Sequence, residues 1–127
     1  MRLLLDTHSF LWFVLGDQRL STLAVHAIGD IANDRYLSVA SAWEIAIKAN
    51  LQKLRLSAPF PIFMEQAERN AIDLLPVTLE HLNVVFTLPL HHRDPFDRLL
   101  VAQALVENLP IVSADPLLDA YPITRLW

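Results

Sequence analysis

Arg2-Leu3-Leu4-Leu5-Asp6-Thr7-His8-Ser9-Phe10 begins as an unbroken apolar strand, stops at an acid and continues as a helix. A strand apolar on both faces belongs inside a parallel sheet, where helices cover it above and below. The same change from strand to acid recurs. Tyr36-Leu37-Ser38-Val39 precedes Glu44, Pro110-Ile111-Val112-Ser113 precedes Asp115, and Asp97 opens a long apolar helix. In an open parallel α/β sheet the carboxyl ends of the strands share one edge, where ligands bind. Acids distant in the chain are therefore expected to meet there. Such a cluster calls for a hard divalent cation, Mg²⁺ or Mn²⁺.

Outward from these junctions, the pattern predicts a strand over 2–6 and a helix over 7–15 ended by Gly16. A helix capped by Ser21 runs to about 33, then a strand over 35–40 and a helix over 42–51. A loop with Pro59 and Pro61 leads to a helix over 62–71. A short strand over 72–77, weakened by Pro76, precedes a helix from Thr78 to about 88. Pro95 occupies the first turn of a helix reaching 108, and strands follow at 111–114 and 123–126. Strands alternating with helices imply a parallel sheet of four to five strands with right-handed crossovers, in a single domain over 1–127.

Composition narrows the function. Hydrophobic residues at 54% and charged residues at 19% argue against disorder. A net charge of −4 supplies no bulk attraction to nucleic acid, so any such binding must use a local basic patch or a metal ion. The absence of cysteine excludes thiol catalysis and Cys-type zinc sites. With only Gly16 and Gly29, no phosphate-cradling loop or dinucleotide fingerprint can be written, and no nucleotide cofactor is expected. The apolar stretch over 3–15 is broken by Asp6 and His8 and is too short to span a bilayer. A soluble cytoplasmic protein without a membrane role is expected.

Each acid also has an ordinary structural explanation. Ser41-Ala-Trp-Glu44 fits a capping box. Asp94-Pro95-Phe96-Asp97 fits an N-cap, a first-turn proline and an acid favoured by the helix dipole. Asp115-Pro116 and Asp6 are also cap positions. The joint pattern decides. Like charges ~4 Å apart at an effective dielectric of ~20 repel by about 4 kcal/mol, against about 1 kcal/mol for a cap. If the acids converge, a metal site is the better reading. Lys48, four residues after Glu44, is expected to pair with it rather than with phosphate. His91 and His92 are expected in a solvated loop. The residues from Phe10 to Leu15 are apolar around the whole helix, which is either buried or covers a partner.

These blocks resemble the PIN-domain nucleases. Asp6-Thr7-His8 is similar to the opening of that family, and Ser41-Ala-Trp-Glu44-Ile45-Ala46-Ile47-Lys48 to its second block. His91-His92-Arg93-Asp94-Pro95-Phe96-Asp97-Arg98 closely resembles the segment found in VapC-type toxins of bacterial toxin–antitoxin pairs. Ser113-Ala114-Asp115 followed by Tyr121 resembles the last block. The resemblance spans essentially the whole chain. It implies a three-layer α/β/α fold and an Mg²⁺- or Mn²⁺-dependent endoribonuclease acting on single-stranded RNA. It also implies a homodimer and a cognate antitoxin. On this view Asp6, Glu44, Asp97 and Asp115 hold the metal, and Thr7 and Ser113 support them. Lys48, Lys53, Arg55, Arg93 and Arg98 are candidates for RNA contact, and Phe10, Trp12 and Phe13 for the antitoxin. The competing readings are a PIN-like binding module without catalysis and an aspartyl-phosphate phosphatase. The phosphatase is disfavoured, because His8 stands where its second acid belongs.

Overall fold

The computed structural model describes all 127 residues, Met1–Trp127. Leu3, Leu4 and Leu5 are wholly buried because β1 (Arg2–Leu5) is the middle strand of a five-stranded sheet. Around it the chain runs α1 (Thr7–Leu15), α2 (Thr22–Gly29), β2 (Asp34–Ser38), α3 (Val39–Asn50), α4 (Phe60–Arg69) and β3 (Ile72–Leu75). It continues with α5 (Leu79–Thr87), α6 (Pro95–Glu107), β4 (Ile111–Val112), a 3₁₀ turn at Pro116–Ala120 and β5 (Arg125–Leu126). All pairings are parallel, in the order β3-β2-β1-β4-β5.

The two-residue period of the strands divides the core. Leu3, Leu5, Leu37 and Val112 face one side with Phe10, Ile28, Ile45 and Phe63. Leu4 and Ile111 face the other with Leu100, Val101 and Leu118. Each buried leucine contributes roughly 1.5–3 kcal/mol, so β1 is fixed from both faces. The result is the expected three-layer α/β/α arrangement.

The sheet grows outward from β1 through β2 to β3, then the chain crosses to the other side of β1 to place β4. The topological switch point lies between β1 and β4, where open α/β sheets form their crevice. There the Asp6 N–H donates to Val112 O at 3.1 Å, and the Ser9 hydroxyl donates to the same oxygen at 3.0 Å.

The strands expected at 2–6, 72–77, 111–114 and 123–126 are shorter, at Arg2–Leu5, Ile72–Leu75, Ile111–Val112 and Arg125–Leu126, and three other boundaries shift for local reasons. The second strand ends at Ser38, not 40, because the Ser38 hydroxyl caps α3 by accepting the Ala40 N–H at 3.0 Å. Ser41 is thus inside the first turn, and the Ser41–Glu44 capping box is absent. The helix after Ser21 stops at Gly29, with Asp30 as its C-cap, rather than near 33. Helix α4 starts at Phe60, two residues early, since Pro61 suits a first turn.

Candidate active site

Asp6 is the first residue beyond β1, and its Oδ1 caps α1 by accepting the Ser9 N–H at 2.8 Å. The next residue, Thr7, turns its hydroxyl to Glu44 and donates to Oε1 at 2.5 Å. Glu44 is buried on the second turn of α3, and its Oε2 accepts from Lys48. The hydroxyl of the residue after Asp6 thus holds an acid 37 positions further along the chain. The Lys48 ammonium is held protonated chiefly by its hydrogen bond to Glu44, against the effect of burial, with Asp94 and Asp97 adding to the effect.

A second group assembles at the start of α6 and the end of β4. Asp94 is the N-cap of α6, with Oδ1 accepting the Phe96 N–H at 2.8 Å, and it presents Asp97 in the first turn. Asp115 follows β4 and caps the 3₁₀ turn through Leu117 N–H at 3.0 Å. Ser113 accepts the Asp115 N–H at 3.0 Å, so its hydroxyl serves the backbone at the strand end. Between these acids lies His92, with Nε2 2.8 Å from Asp115 Oδ2 and 3.3 Å from Asp97 Oδ2. Far from sitting in a solvated loop, this ring is buried and pinned. His91 is exposed, as expected.

Asp97 joins the two groups electrically. Its carboxyl is pushed up to about 7, first by burial and then by the charge of Asp94; Asp6 and Glu44 add to the rise, and His92 opposes it. A carboxylate so crowded by negative charge gains from a divalent cation, and the donors gathered here are hard oxygens suited to Mg²⁺ or Mn²⁺.

The sequence profile of the PIN domain family matches residues 3–123. The chain belongs to the PIN domain family. It is 28% identical over 129 residues to a protein named ribonuclease VapC22 from Mycobacterium tuberculosis (strain ATCC 25618 / H37Rv), covering 98% of this chain and 97% of that relative. Its fold is similar to that in a structure of VapBC2 from Rickettsia felis bound to a DNA fragment from their promoter. There the TM-score is 0.72 at 12% identity, covering 99% of this chain and 98% of the other.

Several side chains of this PIN domain fall outside their expected places. Arg98 is not available to a ligand, because it donates to the carbonyls of Leu88, Pro89 and His92 and to the Tyr121 hydroxyl. Phe10 is wholly buried in the core and offers nothing to a partner, whereas Trp12 and Phe13 are half-buried. Trp12 packs 6.0 Å from Trp127, with Arg19 over its ring at 5.1 Å. Lys53, Arg55 and Arg93 are exposed. His8 is exposed and lies 5.6 Å from the Trp12 ring, with no role among the acids. Two aromatics went unassigned in the sequence. Trp43, 59% exposed, meets Phe96 edge-on at 5.5 Å, and each immediately precedes an acid of the cluster. That adjacency to Glu44 and Asp97 was the available signal.

Proposed function

We propose that this PIN domain is an endoribonuclease that requires Mg²⁺ or Mn²⁺ and acts as the toxin of a toxin–antitoxin pair. The observation that carries the reading is where the acids stand: Asp6 and Asp115 directly follow the paired strands β1 and β4, Thr7 beside Asp6 holds Glu44, and His92 lies against both Asp97 and Asp115. The near full-length similarity to a protein named ribonuclease VapC22 supports the activity. A fold shared with a VapBC complex favours a cognate antitoxin.

Asp6, Glu44, Asp97 and Asp115 would hold one or two cations, directly or through water. A cation bound there supplies the charge that activates water and offsets negative charge growing on the phosphoryl oxygens. The chain does the positioning. Ser9 N–H engages only Oδ1 of Asp6, and Thr7 fixes the orientation of Glu44 while Lys48 balances its charge. Hydrolysis of the phosphodiester would leave a 5′-phosphate. Trp43 and Phe96 offer aromatic surface beside the acids, on which an unpaired base can stack, which favours single-stranded RNA. Arg93, Lys53 and Arg55 are the free cations for the RNA backbone. Trp12 and Phe13 are the candidates for antitoxin contact. A cytoplasmic homodimer over 1–127 is the form proposed; no helix is long and apolar enough to cross a membrane.

The test is incubation of the purified chain with a mixed RNA pool, with Mg²⁺, with Mn²⁺ and with a chelator, followed by sequencing of the ends. Cleavage in either metal, abolished by chelation and by Asp97→Asn, is the expected result. Intact RNA in both metals leaves a PIN-like binding module.

A further inference from the structure

The His92 ring is held at both edges, and its two contacts identify which nitrogen carries the proton. Nδ1 lies 3.1 Å from the backbone nitrogen of Asp94. That N–H can only donate, so Nδ1 is the acceptor and the proton of the neutral imidazole sits on Nε2. Nε2 in turn faces two acceptors, Asp115 Oδ2 at 2.8 Å and Asp97 Oδ2 at 3.3 Å.

His92, Asp97 and Asp115 offer ligand-type atoms within 4.8 Å of one another, which on distance alone is a three-ligand cation site. The tautomer argues otherwise. A nitrogen that carries a proton has no lone pair for a metal.

The backbone that carries the ring is also held in place. The N–H groups of His91 and His92 donate to the Tyr121 hydroxyl at 3.1 and 3.0 Å, and that hydroxyl donates to Pro89 O at 2.7 Å. Arg98 closes the same loop through Leu88, Pro89 and His92 carbonyls. Asp115 has little other support. Its Oδ1 is used by the Leu117 N–H, and Oδ2 is held by His92.

We infer that His92 is a positioning residue: its Nε2–H donates to Asp115 beside Asp97 and sets Asp115 for cation binding, and Tyr121 with Arg98 holds the loop that aims it. Its purpose rests on the nuclease reading; its geometry does not. Partners of this kind, which orient ligands without binding the metal, typically alter metal affinity by roughly 10–100-fold.

Two measurements on the full chain test this. Long-range proton–nitrogen NMR of histidine-labelled protein reads the tautomer, with the His92 signal identified by its loss in His92→Gln. A protonated Nε2 and a bare Nδ1 are expected, unchanged when Mg²⁺ saturates the protein. A proton on Nδ1 overturns the proposal, as does loss of the Nε2–H on adding Mg²⁺, which would make His92 a ligand. Calorimetric titration with Mn²⁺ then compares variants. His92→Ala should weaken binding by roughly 10–100-fold. His92→Gln, whose NH₂ can still donate to Asp115, should fall between it and the wild type. Wild-type affinity in His92→Ala overturns the proposal. If His92→Ala does not fold, His92→Gln and the wild-type spectra decide, with affinity in His92→Gln lowered beyond 100-fold counting against it. A wild-type chain that binds neither cation refutes the nuclease reading instead, and is told apart because the Nε2–H signal persists.

Discussion

The two halves of the acid cluster are supported differently. Asp6 and Glu44 are buried at 8% and 5% exposure, and each has firm local donors: a backbone N–H for Asp6, a hydroxyl and an ammonium for Glu44. The side chains of Asp97 and Asp115 are more open, at 26% and 33%, and share one imidazole. Yet Asp97 is the acid pushed up to about 7. Depth alone does not settle how a carboxylate fares. The donors it receives must also outweigh the charges it faces.

The largest effect that could break this contrast is on cleavage. Asp6→Asn and Asp97→Asn should each lower metal-dependent RNA cleavage by more than about 100-fold, since even indirect supports of a metal site can cost that much. Their stabilities should diverge. Asn caps a helix about as well as Asp, so Asp6→Asn should melt near the wild-type temperature. Asp97→Asn should melt higher in metal-free buffer, because it removes a charge that is costly to bury and that faces Asp94, Asp6 and Glu44. Equal shifts in calorimetry would erase the difference between the halves.

Glu44→Gln sharpens the contrast from the buried side. Gln keeps an oxygen for the Thr7 hydroxyl but gives up its charge to Lys48, whose partly exposed ammonium can turn to water instead. Cleavage should fall steeply while urea melts move little. Unfolding of this variant would make Glu44 a structural residue.

A smaller loss, about 10-fold in cleavage, is expected of Arg98→Ala, which frees the His92 loop. Because Arg98 donates to protein carbonyls, the salt dependence of RNA binding should keep its slope. A shallower slope would return Arg98 to the RNA-contacting set.

The smallest effect is in stability against pH. Asp97 binds its proton more tightly folded than unfolded, so its contribution is complete below 3.8 and is lost as pH rises through about 7. Metal-free wild type should therefore lose melting temperature over that interval relative to Asp97→Asn, and saturating Mg²⁺ should close the gap. Parallel curves for the two proteins would remove the burial and charge crowding assigned to Asp97.

Much of this was visible in the chain. Leu3-Leu4-Leu5 is legible as a central strand because no polar residue interrupts it, and the acids are legible because Asp6, Glu44 and Asp115 come after such runs and Asp97 opens a long apolar helix. Glu44 was misplaced for a local reason. The Ser-x-x-Glu spacing at Ser41 is correct for a capping box, but Ser38 offers an earlier hydroxyl, and Ala40 and Ala42 extend the helix backward to meet it. His92 was missed for a non-local one. Its partners lie 2, 5 and 23 positions away, and only the fold brings Asp115 to its Nε2. Arg98 shows the same limit, since its partners are backbone carbonyls and leave no mark in a sequence.

The position of β1 has a consequence for how the molecule comes into being. The strand made first acquires its second neighbour last, through contacts such as Ser9 with Val112, 103 positions apart. A ribosome that has delivered everything through β3 has delivered Asp6 and Glu44, but neither Asp97 nor Asp115. Closure over so long a loop is also slow compared with forming helices. The acid cluster is thus among the last features of the molecule to exist, and an unfinished chain carries only its better-supported half.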